Sequence, residues 1–167
     1  MCHHSSVVTL RFAVPEDDER LSDLDGLTWS AAVSPAPVPH HSDSFFRKAI
    51  PGDVMVVVDT DQILGYVQFR RPTELKSNDH VWEINGLAVD PSNQRMGLGR
   101  MLLSSALEEV WRRGGRRVTL RVLSTNEIAQ RLYSDCGFTV EGTLRGEFKL
   151  DGVDIDDVQM ACFAPSE

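Results

Sequence analysis

The chain has 167 residues, of which 41% are hydrophobic and 25% are charged, and its formal net charge is -8. This length and composition predict one globular domain over residues 1–167, and the acidic balance argues against a general nucleic-acid binder and favours neutral or cationic small partners. The N-terminus MCHHSSVVTLRF lacks the apolar core of a signal peptide, and the apolar run at residues 54–58 is too short to cross a bilayer, so we expect a cytoplasmic protein without a membrane partner.

The first fifty residues predict a strand, a helix and an extended crossing. Residues 7–12 are rich in β-branched side chains, and Pro15 followed by the acidic residues 16–18 is typical of a helix start. Prolines at positions 35, 37 and 39 exclude a continuous helix in the next segment. Residue 42 or 43 is a suitable N-cap, so we expect a further short helix that ends at Ala49.

The segment from Asp53 to Asp90 predicts three strands. Two apolar β-branched runs flank the turn-like DTDQ, which indicates an antiparallel hairpin, and a polar loop follows it. The run VWEINGLAVD at residues 81–90 is strand-like, and Gly86 within it marks a bulge or a close backbone approach. Its alternation puts Ile84 and Ala88 on one face and the following residues on the other: Glu83, Asn85, Leu87 and Val89.

The C-terminal half alternates helices and strands. DPSNQRMGLGRMLL opens a helix that ends at Gly114, RRVTLRVL predicts a strand, and Asn126 caps a second helix that runs to Gly137. The final segment predicts two long strands joined at Asp151-Gly152, a strong hairpin turn. The whole order predicts an α/β (α+β) fold, a mixed sheet with helices on both faces.

The paired glycines between strand and helix, Gly97 and Gly99, indicate an anion site. A dinucleotide fold would need a third glycine, where Leu102 stands, and an acidic residue ending the next strand, which ends in Arg121-Val122-Leu123. A Walker loop would need Gly-Lys-Ser/Thr, which does not follow. Small residues at a helix start do let backbone N–H groups converge on a pyrophosphate.

Two motifs together resemble the GNAT superfamily of acyl-CoA-dependent N-acyltransferases. The stretch Gln94-x-x-Gly97-x-Gly99 is similar to the family's pyrophosphate loop, and Asn126-x-x-Ala129-x-x-Leu132-Tyr133-x-x-Cys136-Gly137-Phe138 resembles its second CoA-contacting helix. LAVDPSNQ and TLRFAVPEDD resemble the family's strand-to-loop approach and its first strand and helix. The resemblance implies a seven-stranded, mostly antiparallel sheet in which two neighbouring strands splay apart to admit acyl-CoA.

The resemblance also implies which residues bind acetyl-CoA, the acyl donor. Pantetheine would pair with the backbone of residues 87–89, and the pyrophosphate would lie on the loop that leads into the helix. At position 95 many members carry glycine, and here Arg95 either contacts a phosphate or points into solvent. The cofactor-binding set is Leu87, Ala88, Val89, Gln94, Arg95, Met96, Gly97, Leu98, Gly99, Arg100, Asn126, Ala129 and Tyr133.

Acyl transfer from a thioester to an amine needs a base and an acid. Tyr133 lies two helical turns after Asn126 on the same helix face, and the resemblance implies that it protonates the leaving CoA thiolate. Glu83 is the base candidate. An unpaired carboxylate buried in an apolar strand costs free energy, which points to a functional reason for its presence. One alternative stays open: an ordered water is the base, and Glu83 is paired with an arginine at the sheet rim.

The acceptor side is less well defined. Trp29, Phe46 and Asn85 are candidate substrate contacts, and His40 and His41 could also take part. The acidic residues of the last hairpin could attract a cationic amine. Cys136 has no histidine near it in sequence, so we do not expect an acyl-enzyme, and the three cysteines, Cys2, Cys136 and Cys162, have no metal-ligand spacing.

These features predict an N-acetyltransferase that moves the acetyl group of acetyl-CoA to a primary amine of a small molecule or peptide by direct attack in a ternary complex. The alternative is a catalytically silent acyl-CoA-binding sensor or partner subunit. The long C-terminal strands could also pair in a homodimer.

Overall fold

The computed structural model of the chain describes residues 7–40 and 42–166. Within these residues the strands are β1 (Val8–Phe12), β2 (Val54–Asp59), β3 (Gln62–Arg70), β4 (Val81–Val89), β5 (Arg117–Leu123), β6 (Thr139–Leu150) and β7 (Val153–Phe163). The α-helices are α1 (Asp18–Thr28), α2 (Leu98–Arg112) and α3 (Glu127–Asp135). The predicted order of strands and helices is confirmed, except for the helix expected to end at Ala49.

All the strands join in one seven-stranded sheet of order β1-β2-β3-β4-β5-β7-β6. Neighbouring strands are antiparallel except β4 and β5, which are parallel. The predicted β6–β7 hairpin turns at Asp151 and Gly152, whose φ values of 50° and 80° suit a two-residue turn that requires positive φ at both positions. The mixed, mostly antiparallel sheet is therefore confirmed.

The two faces of the sheet bury separate apolar clusters. One cluster packs beneath α2, which contributes Leu102, Leu103 and Ala106, and α3 residues lie against it. The other cluster packs beneath α1, which contributes Leu21 and Leu24. We call these the α2 face and the α1 face. No helix within the described residues is both long and apolar enough to span a membrane.

The helix expected to end at Ala49 is wrong, because the segment forms only a short 3-10 turn, Phe45–Arg47. Asp18 Oδ1 accepts hydrogen bonds from the Ser44 hydroxyl at 2.9 Å and from the Phe46 N–H at 2.8 Å. The Phe45 ring also meets the Tyr66 ring edge to face at 4.9 Å. These contacts from distant parts of the chain hold the segment against α1 and β3.

The faces expected for β4 are also wrong after residue 85, because the strand contains a bulge. Gln68 of β3 pairs with Gly86 and Phe69 with Ile84, so Asn85 is an extra residue in β4. Beyond the bulge Leu87 and Val89 pack on the α2 face, as Ile84 does, whereas Ala88 belongs to the α1 face. The bulge predicted from Gly86 is thus present, and it reverses the faces that follow it.

Candidate active site

The central strands separate at the middle of the sheet. Parallel pairing of β4 with β5 is confined to Val81–Glu83 against Arg117–Thr119. From Ile84 and Leu120 onward the strands run without pairing to each other, although β4 still pairs with β3 and β5 with β7. One backbone edge of β4 therefore faces a gap, and an extended ligand can hydrogen-bond to such an edge as an added strand.

The loop after β4 is anchored to α1. Asp90 Oδ1 accepts the Ser92 N–H at 2.9 Å, and Arg20 donates to Asp90 Oδ2 at 2.6 Å. Arg20 also donates to the Ile63 carbonyl at 3.0 Å, so one guanidinium ties together the loop, α1 and β3. These bonds fix where the chain leaves the sheet and turns into α2.

The N-terminus of α2 is open to an anion. Its cap is Gly97, which offers no side-chain hydrogen bond, and no acidic residue lies in the first turn. The first intrahelical bond is from Met101 N–H to the Gly97 carbonyl at 3.0 Å, so the N–H groups of residues 98–100 have no acceptor within the helix. Their partial positive charge, added to that of the helix dipole, attracts negative charge.

The two glycines of the loop serve different ends. Gly97 has φ of 77°, and a β-carbon there would meet nothing within 4 Å. Glycine is therefore favoured at this position by the left-handed backbone conformation and not by a lack of space. Gly99 has no left-handed backbone conformation, but a β-carbon there would lie 3.2 Å from the Leu132 side chain of α3. The first glycine shapes the turn, and the second lets α3 approach α2.

Other predicted ligand-binding residues lie around the same loop. Gln94 donates from Nε2 to the Val89 carbonyl at 3.3 Å, which closes the loop onto the end of β4. Arg95 is exposed and has φ of 67°, the left-handed region that favours glycine. Met96 is exposed, and Arg100 forms an ion pair with Asp135 of α3 at 3.1 Å.

The predicted cap and acid both lie on α3. Asn126 Oδ1 accepts the Ala129 N–H at 3.2 Å, so the cap is confirmed. Tyr133 packs against the α2-face cluster with its ring centroid 5.9 Å from that of Phe138. Burial raises the pKa of Tyr133 to about 12, which keeps its hydroxyl protonated at neutral pH.

Glu83 lies where the two strands separate, opposite Thr119 in the last pair of the parallel ladder. It is not unpaired: Arg70 donates from Nε to Glu83 Oε2 at 2.9 Å, and the carboxylate side chain is only 20% exposed. The arginine pairing that the sequence left open is therefore present. Because Glu83 pairs in register with Arg70 of β3, the two side chains share the α1 face.

The predicted acceptor contacts are spread along the α1 side. Trp29 donates from Nε1 to the Ala36 carbonyl at 2.9 Å, and Phe46 meets Phe45 edge to face at 5.5 Å, so both side chains have structural partners. Asn85, at the bulge, is exposed, and so is His40, whereas His41 lies outside the described residues.

The acidic residues of the last hairpin are largely paired. Glu141 accepts from Arg117 at 2.6 Å, Asp154 pairs with Lys149 at 2.9 Å, and the nearly buried Asp157 pairs with Arg121. Their charges are therefore balanced within the hairpin and the neighbouring strand, which weakens the idea that they attract a cationic amine.

A polar cluster on the α1 face escaped sequence reasoning. The hydroxyl of Tyr66 donates to Asp25 Oδ1, and Gln68 donates from Nε2 to the Lys48 carbonyl at 3.4 Å. Tyr66 and Gln68 are 5% and 9% exposed. The one available signal was a glutamine inside the apolar run QILGYVQFR, where a core strand has no need of an amide.

Cysteine and metal chemistry find no support among these residues. Burial raises the pKa of the Cys136 thiol, which lowers its thiolate fraction, and Cys2 lies outside the described residues. No group of histidine, cysteine, aspartate and glutamate in the described part of the chain is arranged to hold a metal ion.

Comparison with known proteins relates this geometry to a family. Residues 19–138 match the family model described as "Acetyltransferase (GNAT) family". The chain is 42% identical over 62 residues to the [ribosomal protein bS18]-alanine N-acetyltransferase of Escherichia coli K12. The matched residues make up 37% of this chain and 41% of that protein. It is 34% identical over 91 residues to the mycothiol acetyltransferase of Geodermatophilus obscurus, 53% of this chain and 29% of that protein.

A solved structure shares the fold over nearly the whole chain. It is yncA from Salmonella typhimurium, determined with its cofactor acetyl-CoA, and the TM-score is 0.82 at 23% identity over 97% of this chain and 96% of that chain. By contrast, the chain spans less than half the length of the two curated relatives that it matches.

Proposed function

The chain belongs to the GNAT family of acetyltransferases, and we propose that it transfers the acetyl group of acetyl-CoA to a primary amine of a small molecule or peptide by direct attack in a ternary complex. Acetyl-CoA is the acyl donor of this family. One observation carries the proposal: the gap between β4 and β5 leads directly to the open N-terminus of α2. We propose that residues 1–167 act as one transferase domain.

The residues present fit acetyl-CoA at both ends of the gap. The backbone of Leu87, Ala88 and Val89 would pair with pantetheine along the open edge of β4. The N–H groups of residues 98–100 would bind the pyrophosphate, supported by the absence of a side-chain cap and of acidic residues in the first turn. Arg95 adds positive charge beside that site, and Arg100 lies next to it in an ion pair with Asp135 of α3. Gln94, Met96 and Gly97 shape the loop.

Tyr133 is the proposed acid. When bound, acetyl-CoA supplies an activated acetyl thioester, and the amine nitrogen bonds to its carbonyl carbon as the carbon–sulfur bond breaks. Tyr133 gives its hydroxyl proton to the departing thiolate. Its pKa of about 12 supports this role, because the hydroxyl stays protonated until the sulfur becomes a base. Asn126 and Ala129 would hold α3 beside the ligand.

Glu83 is the proposed base, taking the proton that the amine loses. Arg70 engages Oε2 of this carboxylate, and among the described residues Oε1 accepts no hydrogen bond. The pairing orients the carboxylate at the point where the strands separate. Asn85, one residue before Gly86, is exposed at the bulge and would contact the acceptor with Trp29 and Phe46.

The relatives suggest the range of acceptors. One is named for the alanine of a ribosomal protein and another for mycothiol, so a peptide N-terminus and a small amine are the first acceptors to examine. A homodimer stays a prediction, with β6 as the last strand of the sheet.

Binding and turnover can be measured separately. Calorimetry with acetyl-CoA tests the site, and thiol release across small amines, polyamines and peptides with free N-termini tests transfer. We expect Tyr133→Phe to lower kcat about a hundredfold or more while acetyl-CoA affinity is kept, and Glu83→Gln to lower kcat in a way that high pH does not rescue.

The outcomes discriminate the candidates. Acetyl-CoA binding without thiol release on any amine would favour the silent sensor. No binding at all would exclude both functions, and full turnover by Tyr133→Phe would remove the acid assignment.

A further inference from the structure

The ion pair between Glu83 and Arg70 uses only some of its hydrogen-bonding atoms. Arg70 donates from Nε to Glu83 Oε2 at 2.9 Å, and within the described residues neither Nη atom of Arg70 nor Oε1 of Glu83 forms a hydrogen bond. Each of these free atoms is two bonds away from an atom of the 2.9 Å contact, so covalent geometry keeps them close together. The pair therefore presents positively charged donors beside a negatively charged acceptor.

Both side chains can be reached from solvent. The side chain of Arg70 is 53% exposed, and that of Glu83 is 20% exposed. Arg70 also lines an open depression of about 510 Å³, with Thr73 and Trp82 among its other walls, which leaves room for a ligand beside the guanidinium. This depression lies where β3 ends and β4 begins, whereas the pyrophosphate loop follows the other end of β4. The acceptor and the donor would therefore approach Glu83 from opposite ends of β4.

Two neighbouring arginines are already committed to carboxylates. Arg117 and Arg121 of β5 lie on the α1 face, because the alternate residues of β5 pack on the α2 face. Arg117 donates through both Nη atoms to Glu141, and Arg121 engages the buried Asp157 through Nε and Nη2. Of these three arginines, only Arg70 has both Nη atoms free of hydrogen bonds and ion pairs within the described residues.

A zwitterion matches the free atoms of this ion pair. An α-amino acid carries an ammonium and a carboxylate on the same carbon, so its two charges are held close together. Its carboxylate would accept from the two Nη atoms of Arg70, a bidentate arrangement that suits a guanidinium, and its ammonium would donate to Glu83 Oε1. A peptide N-terminus has an amide where the free amino acid has a carboxylate, so it would leave the Arg70 donors without an anion.

We propose that Arg70 binds the carboxylate of the acceptor, and that the acceptor is therefore a free α-amino acid. The proposal rests on the proposed function, which it deepens by naming the substrate class. Arg70 would determine specificity in addition to orienting Glu83. With its ammonium on Glu83 Oε1, the acceptor has its nitrogen against the proposed base, which takes a proton from it before the attack on the thioester.

A binding experiment that needs no turnover tests the proposal. Glycine, the part that all α-amino acids share, is titrated into the protein saturated with CoA, and the Nε–H resonance of Arg70 is followed by NMR. Glycinamide, in which an amide replaces the carboxylate, is the matched counterpart, at a pH where both amines are protonated. We expect glycine to shift this resonance and to bind at least about tenfold more tightly than glycinamide.

Substitutions separate carboxylate binding from the orientation of Glu83. Arg70→Gln should abolish the preference for glycine over glycinamide, because a change in Glu83 affects both ligands alike and only glycine loses an ion pair. Arg70→Lys should restore part of the preference, since lysine supplies the charge without the planar fork. Arg117→Gln, which removes an arginine of the same face, should keep the full preference.

Two outcomes of the titration would overturn the proposal. One is equal affinity of glycine and glycinamide for the unaltered protein, and the other is an unchanged preference for glycine in Arg70→Gln. Arg70→Lys keeps a cation beside Glu83, so it guards against loss of folding in Arg70→Gln. Calorimetry with acetyl-CoA should give the same affinity for both variants as for the unaltered protein.

A kinetic arm compares free L-amino acids with their carboxamides, in pairs, by thiol release. Each amino acid that is acetylated should have a higher kcat/KM than its carboxamide. Arg70→Gln should raise the KM for the best amino acid about tenfold to a hundredfold, with a smaller change in the KM for its carboxamide and none in that for acetyl-CoA. Carboxamides used as well as the amino acids would contradict the proposal.

Failure of this proposal differs from failure of acetyl transfer. If no amine releases thiol, transfer is excluded, while the glycine titration still decides whether Arg70 binds a carboxylate. If carboxamides or peptides release thiol and glycine has no advantage over glycinamide, the proposed function stands and the amino-acid class is refuted.

Discussion

Arg95 offers a test of how the pyrophosphate loop is built. Its φ of 67° is left-handed, and the family resemblance expects glycine at this position. The left-handed region costs a residue with a β-carbon about 1–2 kcal/mol, whereas glycine in place of alanine costs about 0.4–1 kcal/mol through the greater freedom of the unfolded chain. We therefore expect Arg95→Gly to be more stable than Arg95→Ala by about 1 kcal/mol.

Urea unfolding of the two variants measures this difference. With an m-value of about 2 kcal/mol/M, the midpoint of Arg95→Gly should lie about 0.5 M above that of Arg95→Ala. Both variants lack the guanidinium, so the comparison isolates the backbone. An alanine variant as stable as the glycine variant would refute the view that this backbone conformation is strained.

The same variants report on the charge of Arg95. If the guanidinium contacts a phosphate, the alanine and glycine variants should both bind acetyl-CoA about tenfold more weakly in calorimetry, and Arg95→Lys should retain part of the affinity. Equal affinities in all the variants would mean that Arg95 points into solvent.

Further substitutions probe the frame of the site. Gly65→Ala places a β-carbon 2.7 Å from a backbone oxygen of β4, so we expect the stability to fall by about 1–3 kcal/mol and acetyl-CoA binding to weaken. In the control Gly142→Ala the β-carbon would meet nothing within 4 Å, so stability and acetyl-CoA binding should both stay unchanged. Asn126→Ala should cost about 1 kcal/mol in urea unfolding through the lost cap, and no loss would contradict the cap's role. The pKa of Glu109 falls from 4.5 to about 2 beside its arginines, so its stabilisation is complete above pH 4.5 and is lost as the pH falls toward 2; Glu109→Gln should remove that pH dependence of melting.

Local signals predicted most of the elements. The Asn126 cap, the glycine stop of α2 and the Asp151-Gly152 turn each depend on a few adjacent residues, and each lies where the sequence indicates. The 3-10 turn at Phe45–Arg47 could not be predicted in this way. Its backbone is held by Asp18, 28 residues before Phe46, and no local pattern encodes that bond.

The same limit explains what the sequence missed at the site. Asp25 looked like one more acid of a charged helix, and Tyr66 like a core residue of a strand. They meet because α1 packs across β3, a contact between residues 41 positions apart. The resemblance supplied the gap between β4 and β5, since no periodicity in either strand indicates where their pairing stops.

The bulge at Asn85 links the two halves of the site. The extra residue sits just after the last β4–β5 pair, at Glu83, so β4 turns its backbone where the gap begins. It also requires glycine at position 86, because a β-carbon there would press on Tyr66 and Gln68. Pantetheine paired along the β4 backbone and the proposed base Glu83 would therefore meet at this one irregularity. Donor binding would then depend mainly on backbone, which tolerates side-chain change.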